Sequence, residues 1–455
     1  QCIVIWGHNP YESAPIQVQT ILEPREKGAK LIVIDPRRTF FAKLADMHLQ
    51  PRPGTDCALM LGMLNVIVTE KLYDKEFVEK WTIGFDKLEE HVSRYPPDDV
   101  EKITLVPAQA IREVARIFAT TKPACIHSGW NTLEEQGNAV QTSRAISILQ
   151  AITGNFMVSG GYVATSRVHK RSLRLLDLVK EKPLGTDRFP LYYGFWGRLF
   201  GEGEGQAMLV PNAILTGKPH PIKAMIVSGS NILTSWPNSN KVREALSKLD
   251  FLVVMDLFMT ETAKQAHMVL PAASGFERNE IYDFYTVLYP ILYTMMRKKV
   301  VEIGECWPDM KFYLELAKRM GYEEYFPWKD VEEVVDRVYE PAGVSINRLT
   351  EEEPGGFPYG FLRNNRDYEQ LGFPTPSGKV EIYSKLLEEL GHDPLPTFKE
   401  PIESPVSRPD LAKEYPLVLS TGTRKYPYMH SQFRQIPQLR KKVPENFIEV
   451  HPYTV

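Results

Sequence analysis

IVIWGHNPYES, residues 3–13, decides the fold. Four apolar residues, Ile3 to Trp6, run without a polar break into Gly7. A short uninterrupted apolar run that ends in a turn signal reads as a strand buried on both faces, the kind found in parallel sheets. After the glycine come Asn9, Pro10 and Ser13, which read as a tight turn and a helix start. Proline suits the first helical turn because its missing N–H would have no partner there. The chain opens inside this strand, so further sequence is expected upstream of it.

The same arrangement occurs twice. VIWGHNP and LIVIDPRRTFFAKLADMHLQP are matched by IVSGSNI and FLVVMDLFMTETAKQAHMVLP. Gly7 and Gly229 end the first strand of each copy, and Asn9 and Asn231 stand two residues on. The next strands end in Asp35 and Asp256, which follow their glycines by 28 and 27 residues. Ala45 and Ala266 lie ten residues past the aspartates, and Met47 and Met268 lie twelve past. A duplicated strand–turn–helix–strand unit, or convergence on one geometry, gives two similar binding sites.

Each copy offers definite chemistry. A helix N-terminus after a parallel strand presents unpaired N–H groups, which suit a phosphate, and glycine lets the backbone approach closely. A carboxylate at the end of the neighbouring strand can accept from ribose hydroxyls or a guanine edge. In DPRR, Arg37 and Arg38 can clamp phosphates. Ordinary capped turns account for one such copy, whereas two at matched spacing favour nucleotide binding. No G-x-G-x-x-G follows either strand, so the nicotinamide and flavin fingerprint is absent.

Around these units the chain alternates strand and helix patterns, which predicts an α/β fold of two related doubly wound parallel-sheet domains. The expected divisions are 1–165, 166–400 and 401–455, the last being a linker and the start of a C-terminal barrel-like domain whose first strand opens at YPLVLSTGTR. Asp56 is the expected N-cap of the apolar helix CALMLGMLNVIVTEK. With 455 residues, 43% hydrophobic and 24% charged, the chain has ample core. A net charge of −3 argues against a nucleic-acid partner. The longest apolar run, residues 57–68, is too short for a direct membrane span. The four cysteines are far apart and read as reduced. His48 and His127 sit on apolar strand patterns as core histidines, and neither H-E-x-x-H nor a nucleophile elbow occurs.

With both copies laid out, the sequence resembles the catalytic subunits of the molybdenum/tungsten bis-pterin-guanine-dinucleotide enzymes, the dimethyl sulfoxide reductase superfamily. The matching phrases include GHNPYES, GAKLIVIDPRRTFFAKLADMHLQPRPGTD, SGWNTLEEQGNAVQTSRAISILQAITGN, DLFMTETAKQAHMVLPAASGFE, TPSGKVEIYS and YPLVLSTGTR. They span nearly the whole chain in order and look closest to polysulfide/thiosulfate reductase-like, formate dehydrogenase-like and acetylene hydratase-like members. The resemblance implies two molybdopterin guanine dinucleotides with one Mo or W. A 4Fe-4S cluster and the protein ligand to the metal are expected upstream of Gln1, so no metal-ligating residue is assigned here. It also implies a small-molecule substrate and an iron–sulfur electron-transfer subunit as partner, in the cytoplasm or exported folded to the periplasm.

By motif, Gly7, His8, Asn9 and Ser13 would line one dinucleotide's phosphates, Asp35 and Arg37 would read its guanosine, and Gly54 and Asp56 would close that end. Gly129 and Trp130 would sit near the pterins. In the second copy, Ser228, Gly229 and Asn231 take the turn role, while Asp256, Thr260 and Thr262 bind the other guanosine. Thr421, Gly422, Arg424, His430 and Ser431 resemble a loop covering a pterin. Two departures stand out: the family's Ala-Asp after the second aspartate is Ala-His here, with His267, and the arginine-bearing stretch of formate dehydrogenases is replaced by GNFMVSGGYVATSRVHK. The implied activity is two-electron chemistry at the metal, by sulfur- or oxygen-atom transfer or formate-type oxidation. The alternatives are a non-redox hydratase, a silent scaffold or electron conduit related to the complex I large subunit, and a fragment inactive by itself.

Overall fold

Continuous apolar strands separated by helices give each unit one main parallel sheet among the described residues. The computed structural model describes residues 1–129, 137–163, 170–175, 178, 180–193, 204–283, 293–358, 365–421, 427–428 and 432–454. Trp130, Gly422, Arg424, His430 and Ser431 lie outside the described residues. One unit comprises Gln1–Ala164 with Arg363–Val455, the other Thr165–Leu362.

The first unit contains β1 (Cys2–Trp6), β2 (Lys30–Ile34), β3 (Met47–Leu49), β4 (Thr82–Ile83) and β5 (Ala124–Ser128). Four of them form a parallel sheet in the order β3-β2-β1-β5. The chain leaves β1 toward β2 and later returns to the opposite edge of β1 as β5. The carboxyl edge at β1 is therefore a topological switch point, where crevices open in such sheets. Trp6 pairs with both Ile34 and Ser128, so Gly7, Asp35 and Gly129 leave the sheet side by side.

Alternation along β1 feeds two cores. Cys2, Val4 and Trp6 pack with the helix Asp56–Thr69, whose residues from Cys57 to Leu64 are all buried. Ile3 and Ile5 pack with Leu31, Val33, Ile21 and Phe41 on the other face. All four cysteines are free, and burial pushes the Cys2 and Cys57 thiols up to about 12, which leaves them protonated and inert.

In the second unit, β6 (Ala224–Ser228), β7 (Phe251–Asp256) and β8 (Met268–Pro271) form a parallel sheet in that order. Ser228 pairs with Met255, so Gly229 and Asp256 leave the sheet together. Val227, Leu252 and Val254 bury one face against Ile232, Leu233, Val242 and Leu246. The strands β9 (Glu280–Tyr282), β10 (Tyr293–Arg297) and β11 (Phe357–Pro358) form a small antiparallel sheet that joins a cluster with Val335, Tyr339 and Leu349.

Residues 363–400, read from sequence as part of the second domain, pack in the first unit. Here β12 (Val380–Glu381) pairs in parallel with β4. Arg144 donates to the carbonyls of Ile382 and Pro394 at 2.9 and 2.8 Å. Arg52 grips the Glu400 carboxylate with both terminal nitrogens, at 2.6 and 2.8 Å. The strand expected at Tyr415 is not formed. Residues 415–421 have no strand neighbour among the described residues, and an extended segment needs one to be stable. No described helix is long and apolar enough to cross a membrane.

Burial pulls Arg144 down to about 10, still charged at neutral pH. Arg144→Ala takes the donor from the Ile382 carbonyl, while Pro394 O keeps the Ser384 N–H at 2.9 Å. It should cost about 1–3 kcal/mol in urea unfolding, with early protease cleavage within residues 380–397. Unchanged cleavage there would show that the clamp does not hold the segment.

Candidate functional site

The two glycine turns share one set of backbone hydrogen bonds. Gly7 N–H donates to Ile34 O at 2.8 Å and Gly229 N–H to Met255 O at 2.9 Å. Their φ angles are +53° and +59°, in the left-handed region that glycine adopts without strain. The Asn9 carbonyl accepts from Glu12 and Ser13 at 3.1 and 3.0 Å, and that of Asn231 from Thr234 and Ser235 at 3.0 and 2.9 Å. Asp35 Oδ1 accepts from Arg37 N–H at 2.7 Å, and Asp256 Oδ1 from Phe258 N–H at 3.1 Å. Thr39 Oγ1 accepts from Ala42 N–H and Thr260 Oγ1 from Ala263 N–H, both at 3.2 Å.

The helices after the turns are single turns, Pro10–Ser13 and Ile232–Ser235. Such short segments carry almost no macrodipole, so the expected helix-end attraction for phosphate is weak here. What each turn does offer is backbone. Among the described residues nothing accepts from the N–H groups of His8 and Asn9, or from those of Ser230 and Asn231.

His267 makes in the second unit the two backbone contacts that Asp46 makes in the first. In the first unit Asp46 Oδ2 accepts from Leu31 N–H at 2.8 Å, while Asp46 N–H donates to Leu31 O. In the second unit His267 Nδ1 accepts from Leu252 N–H at 2.9 Å, while His267 N–H donates to Leu252 O. An imidazole lone pair replaces a carboxylate oxygen at the start of the second strand. The Ala-His departure therefore leaves the backbone of that site unchanged.

The first site is the more enclosed. Gly129 N–H donates to Trp6 O at 2.9 Å, and a Cβ on Gly129 would lie 1.9 Å from Gly7 O. Asp56 is not the N-cap, a position held by Thr55. Its Oδ1 instead accepts from Trp6 Nε1–H at 2.8 Å, because the residue before the turn glycine points its indole at the helix start. Burial raises the carboxyls of both Asp35 and Asp56 above the usual range. Burial also lowers His8, and takes His127 down to about 4. Both imidazoles are neutral at neutral pH and contribute no positive charge. His8 Nε2 lies 3.4 Å from Gln17 Oε1, and His48 Nε2 lies 2.9 Å from Asp35 O. His48, expected as a core residue, thus props the strand-end aspartate.

Other candidates are already engaged. Arg37 holds Glu449 at 2.6 Å. Ser13 Oγ donates back to Asn9 O at 2.9 Å. Gly54, at φ +82°, packs so tightly on Pro401 that a Cβ would meet its ring at 2.6 Å. Thr421 is at the surface of the first unit. In the second unit Ser228 donates to Asp309, and Thr262 donates its hydroxyl to Asn231 Oδ1 at 2.8 Å. The position corresponding to Thr262 in the first copy is Phe41, and Asn9 Oδ1 is buried with no donor among the described residues. Sequence reasoning missed Trp6, Gln17, Asp46 and Asp309. Only the Pro-Asp pair before an amphipathic helix could have signalled Asp309.

A glycine turn and a carboxylate at the carboxyl edge of a doubly wound sheet are the arrangement of nucleotide-binding α/β proteins. The molybdopterin oxidoreductase family model matches residues 1–319, and the chain belongs to that family. It is similar to acetylene hydratase from Syntrophotalea acetylenica, at 38% identity over 94% of this chain and 61% of that protein. It is also similar to the F420-dependent formate dehydrogenase subunit alpha of Methanocaldococcus jannaschii, at 31% identity over 99% of this chain and 65% of that protein. The solved acetylene hydratase from Pelobacter acetylenicus superposes with a TM-score of 0.83 at 36% identity, covering 97% of this chain and 63% of that one. The chain thus spans 61% and 65% of the two relatives' lengths. Membership implies a Mo- or W-pterin cofactor. Among the described residues no three His, Cys, Asp or Glu side chains gather as a metal site.

Two substitutions check this geometry. Gly129→Ala forces a methyl into the Gly7 carbonyl and should cost at least about 3 kcal/mol. Gly229→Ala meets open space and should cost only the backbone penalty of about 1–2 kcal/mol. Equal shifts in thermal unfolding would contradict the enclosed first turn. At residue 267, Asp should be tolerated, whereas Phe strands Leu252 N–H and should cost about 1–3 kcal/mol, read by urea unfolding.

Proposed function

We propose that this chain is the cofactor-holding part of a molybdenum- or tungsten-dependent enzyme and that each unit holds one pterin guanine dinucleotide. The observation that carries the reading is the duplicated turn: the same backbone hydrogen bonds, with an aspartate at the same place beside them. The residues present fit such a group. Gly7 and Gly129 leave only backbone at the switch point, unspent N–H groups at His8 and Asn9 suit phosphate oxygens, and the unpartnered Asn9 Oδ1 suits a ligand donor.

When bound, the group supplies two-electron chemistry at its metal toward a small-molecule substrate. The chain's own residues hold and orient it. Asp35 and Asp256 accept from guanosine. Arg37 brings positive charge to the phosphates once Glu449 yields it, and the neutral His8 hydrogen-bonds without adding charge. Electrons would pass through a 4Fe-4S cluster and an iron–sulfur partner subunit. A second reading, addition of water without net redox change, is favoured by the likeness to acetylene hydratase in both sequence and structure.

The test uses full-length protein purified without oxygen. Metal analysis with acid release of nucleotide should give about two guanine nucleotides per Mo or W. Turnover of formate or a sulfur compound that depends on an electron acceptor supports the redox reading, and hydration of acetylene without an acceptor supports the other. A well-folded protein with neither metal nor nucleotide overturns both.

A further inference from the structure

We propose that Asp309 positions the second glycine turn, as the counterpart of Asp56 in the first; the proposal rests on the cofactor reading above. The last residue of β1, Trp6, donates its indole N–H to Asp56 Oδ1. The last residue of β6, Ser228, donates its hydroxyl to Asp309 Oδ1. Each donor immediately precedes its turn glycine. Each aspartate is the first residue of a helix, Asp56–Thr69 and Asp309–Arg319. The donors differ in size and chemistry, yet a carboxylate meets each from the same element.

An excursion hides the correspondence in the sequence. In the first unit β3 ends at Leu49, and residues 50–55 lead directly to Asp56. In the second, the chain leaves the end of β8 and comes back to it. Trp307 N–H donates to Pro271 O at 3.2 Å, Ala273 N–H donates to Trp307 O at 2.9 Å, and Ala272 and Trp307 form an isolated parallel bridge. With residues 273–306 set aside, Trp307-Pro308-Asp309 follows β8 much as Arg52 to Asp56 follow β3. The repeat therefore extends one element beyond the limits visible in sequence.

The contact also changes the role of Ser228. A hydroxyl has one proton, and that of Ser228 is given to Asp309, so Ser228 Oγ can only accept. A phosphate oxygen, which also only accepts, is then no partner for it. The N–H groups of Ser230 and Asn231 remain for phosphate, and Ser228 acts by fixing the strand end from which they project. The other oxygen of Asp309 accepts from Arg278 Nη1 at 3.1 Å, which ties the excursion to the turn.

Hydrogen exchange on the full-length protein, purified without oxygen, tests this with Ser228→Ala and Asp309→Ala against Asp56→Ala. Loss of a hydrogen bond to a carboxylate should speed exchange about tenfold in peptides covering 228–236, leaving 6–14 unchanged, and Asp56→Ala should do the reverse. Guanine nucleotide and metal content of the Ser228→Ala protein should fall at least about twofold. Faster exchange confined to the helix Asp309–Arg319, or wild-type exchange and cofactor content in Ser228→Ala, overturns the proposal. If Asp309→Ala does not fold, Ser228→Ala carries the test. A wild-type protein without nucleotide would sink the cofactor reading, while the exchange result would still decide whether Asp309 positions the turn.

Discussion

The backbone crossing of Gly7 and Gly129 is the constraint on which the first unit depends. Two parallel strands reach their carboxyl ends together, and the Gly129 N–H is bonded to Trp6 O just where the Gly7 carbonyl turns away. No side chain fits between them. That contact fixes the register of β5 on β1, places the Trp6 indole against Asp56, and so sets the start of the buried helix that fills the main core. The second unit has the same turn without the crossing, because among the described residues only β7 pairs with β6 and nothing lies within 4 Å of a Cβ on Gly229. One backbone device thus sits in two settings, one closed by a neighbouring strand and one open at the sheet edge.

What the sequence made legible followed from the strength of each local signal. The strands β1, β2, β6 and β7 are continuous apolar runs, and glycine, asparagine and aspartate at fixed offsets are unusual enough to reveal the repeat. The pairing of β4 with β12 was not legible, because strands of two residues carry no periodicity, and so the placement of residues 363–400 was missed. Asp56 read as a cap because its own segment cannot show that Trp6 lies above it. The pairing of Arg37 with Glu449 crosses most of the chain, and no local pattern announces it. His267 stands out in the sequence as a departure from Ala-Asp, but its Nδ1 and Asp46 Oδ2 accept from corresponding strand N–H groups, a contact that needs only an acceptor lone pair.

The electrostatics of the first site follow from burial more than from composition. Desolvation disfavours charge on Asp35, Asp56, His8 and His127 alike. The two histidines respond by staying neutral, so positive charge for an anionic ligand falls to Arg37 and Arg38, and Arg37 is the group that the exposed Glu449 occupies. A half-exposed ion pair of this kind contributes little to stability, which makes Arg37 cheap to redirect. The carboxylates are poor neighbours for phosphate but good acceptors for N–H and O–H donors. The turn backbone and Arg37 therefore suit anionic oxygens, and the aspartates beside them suit N–H and O–H donors.

The two copies have diverged most where a ligand would meet side chains. After Asp35 the first copy continues Pro36-Arg37-Arg38; after Asp256 the second continues Leu257-Phe258-Met259, which are 55%, 52% and 61% exposed. The backbone hydrogen bond from the second of these residues to its aspartate is the same in both, so the loop has kept its shape and changed its chemistry. Asn9 leaves its carboxamide oxygen open, while Asn231 spends its own on Thr262. A guanidinium recognises a ligand by charge, which salt screens, and an open amide oxygen by a directed hydrogen bond. An exposed phenylalanine offers an apolar face, which salt does not weaken. Under the cofactor reading, one backbone arrangement would serve two identical dinucleotides, while the side chains would hold them by different forces.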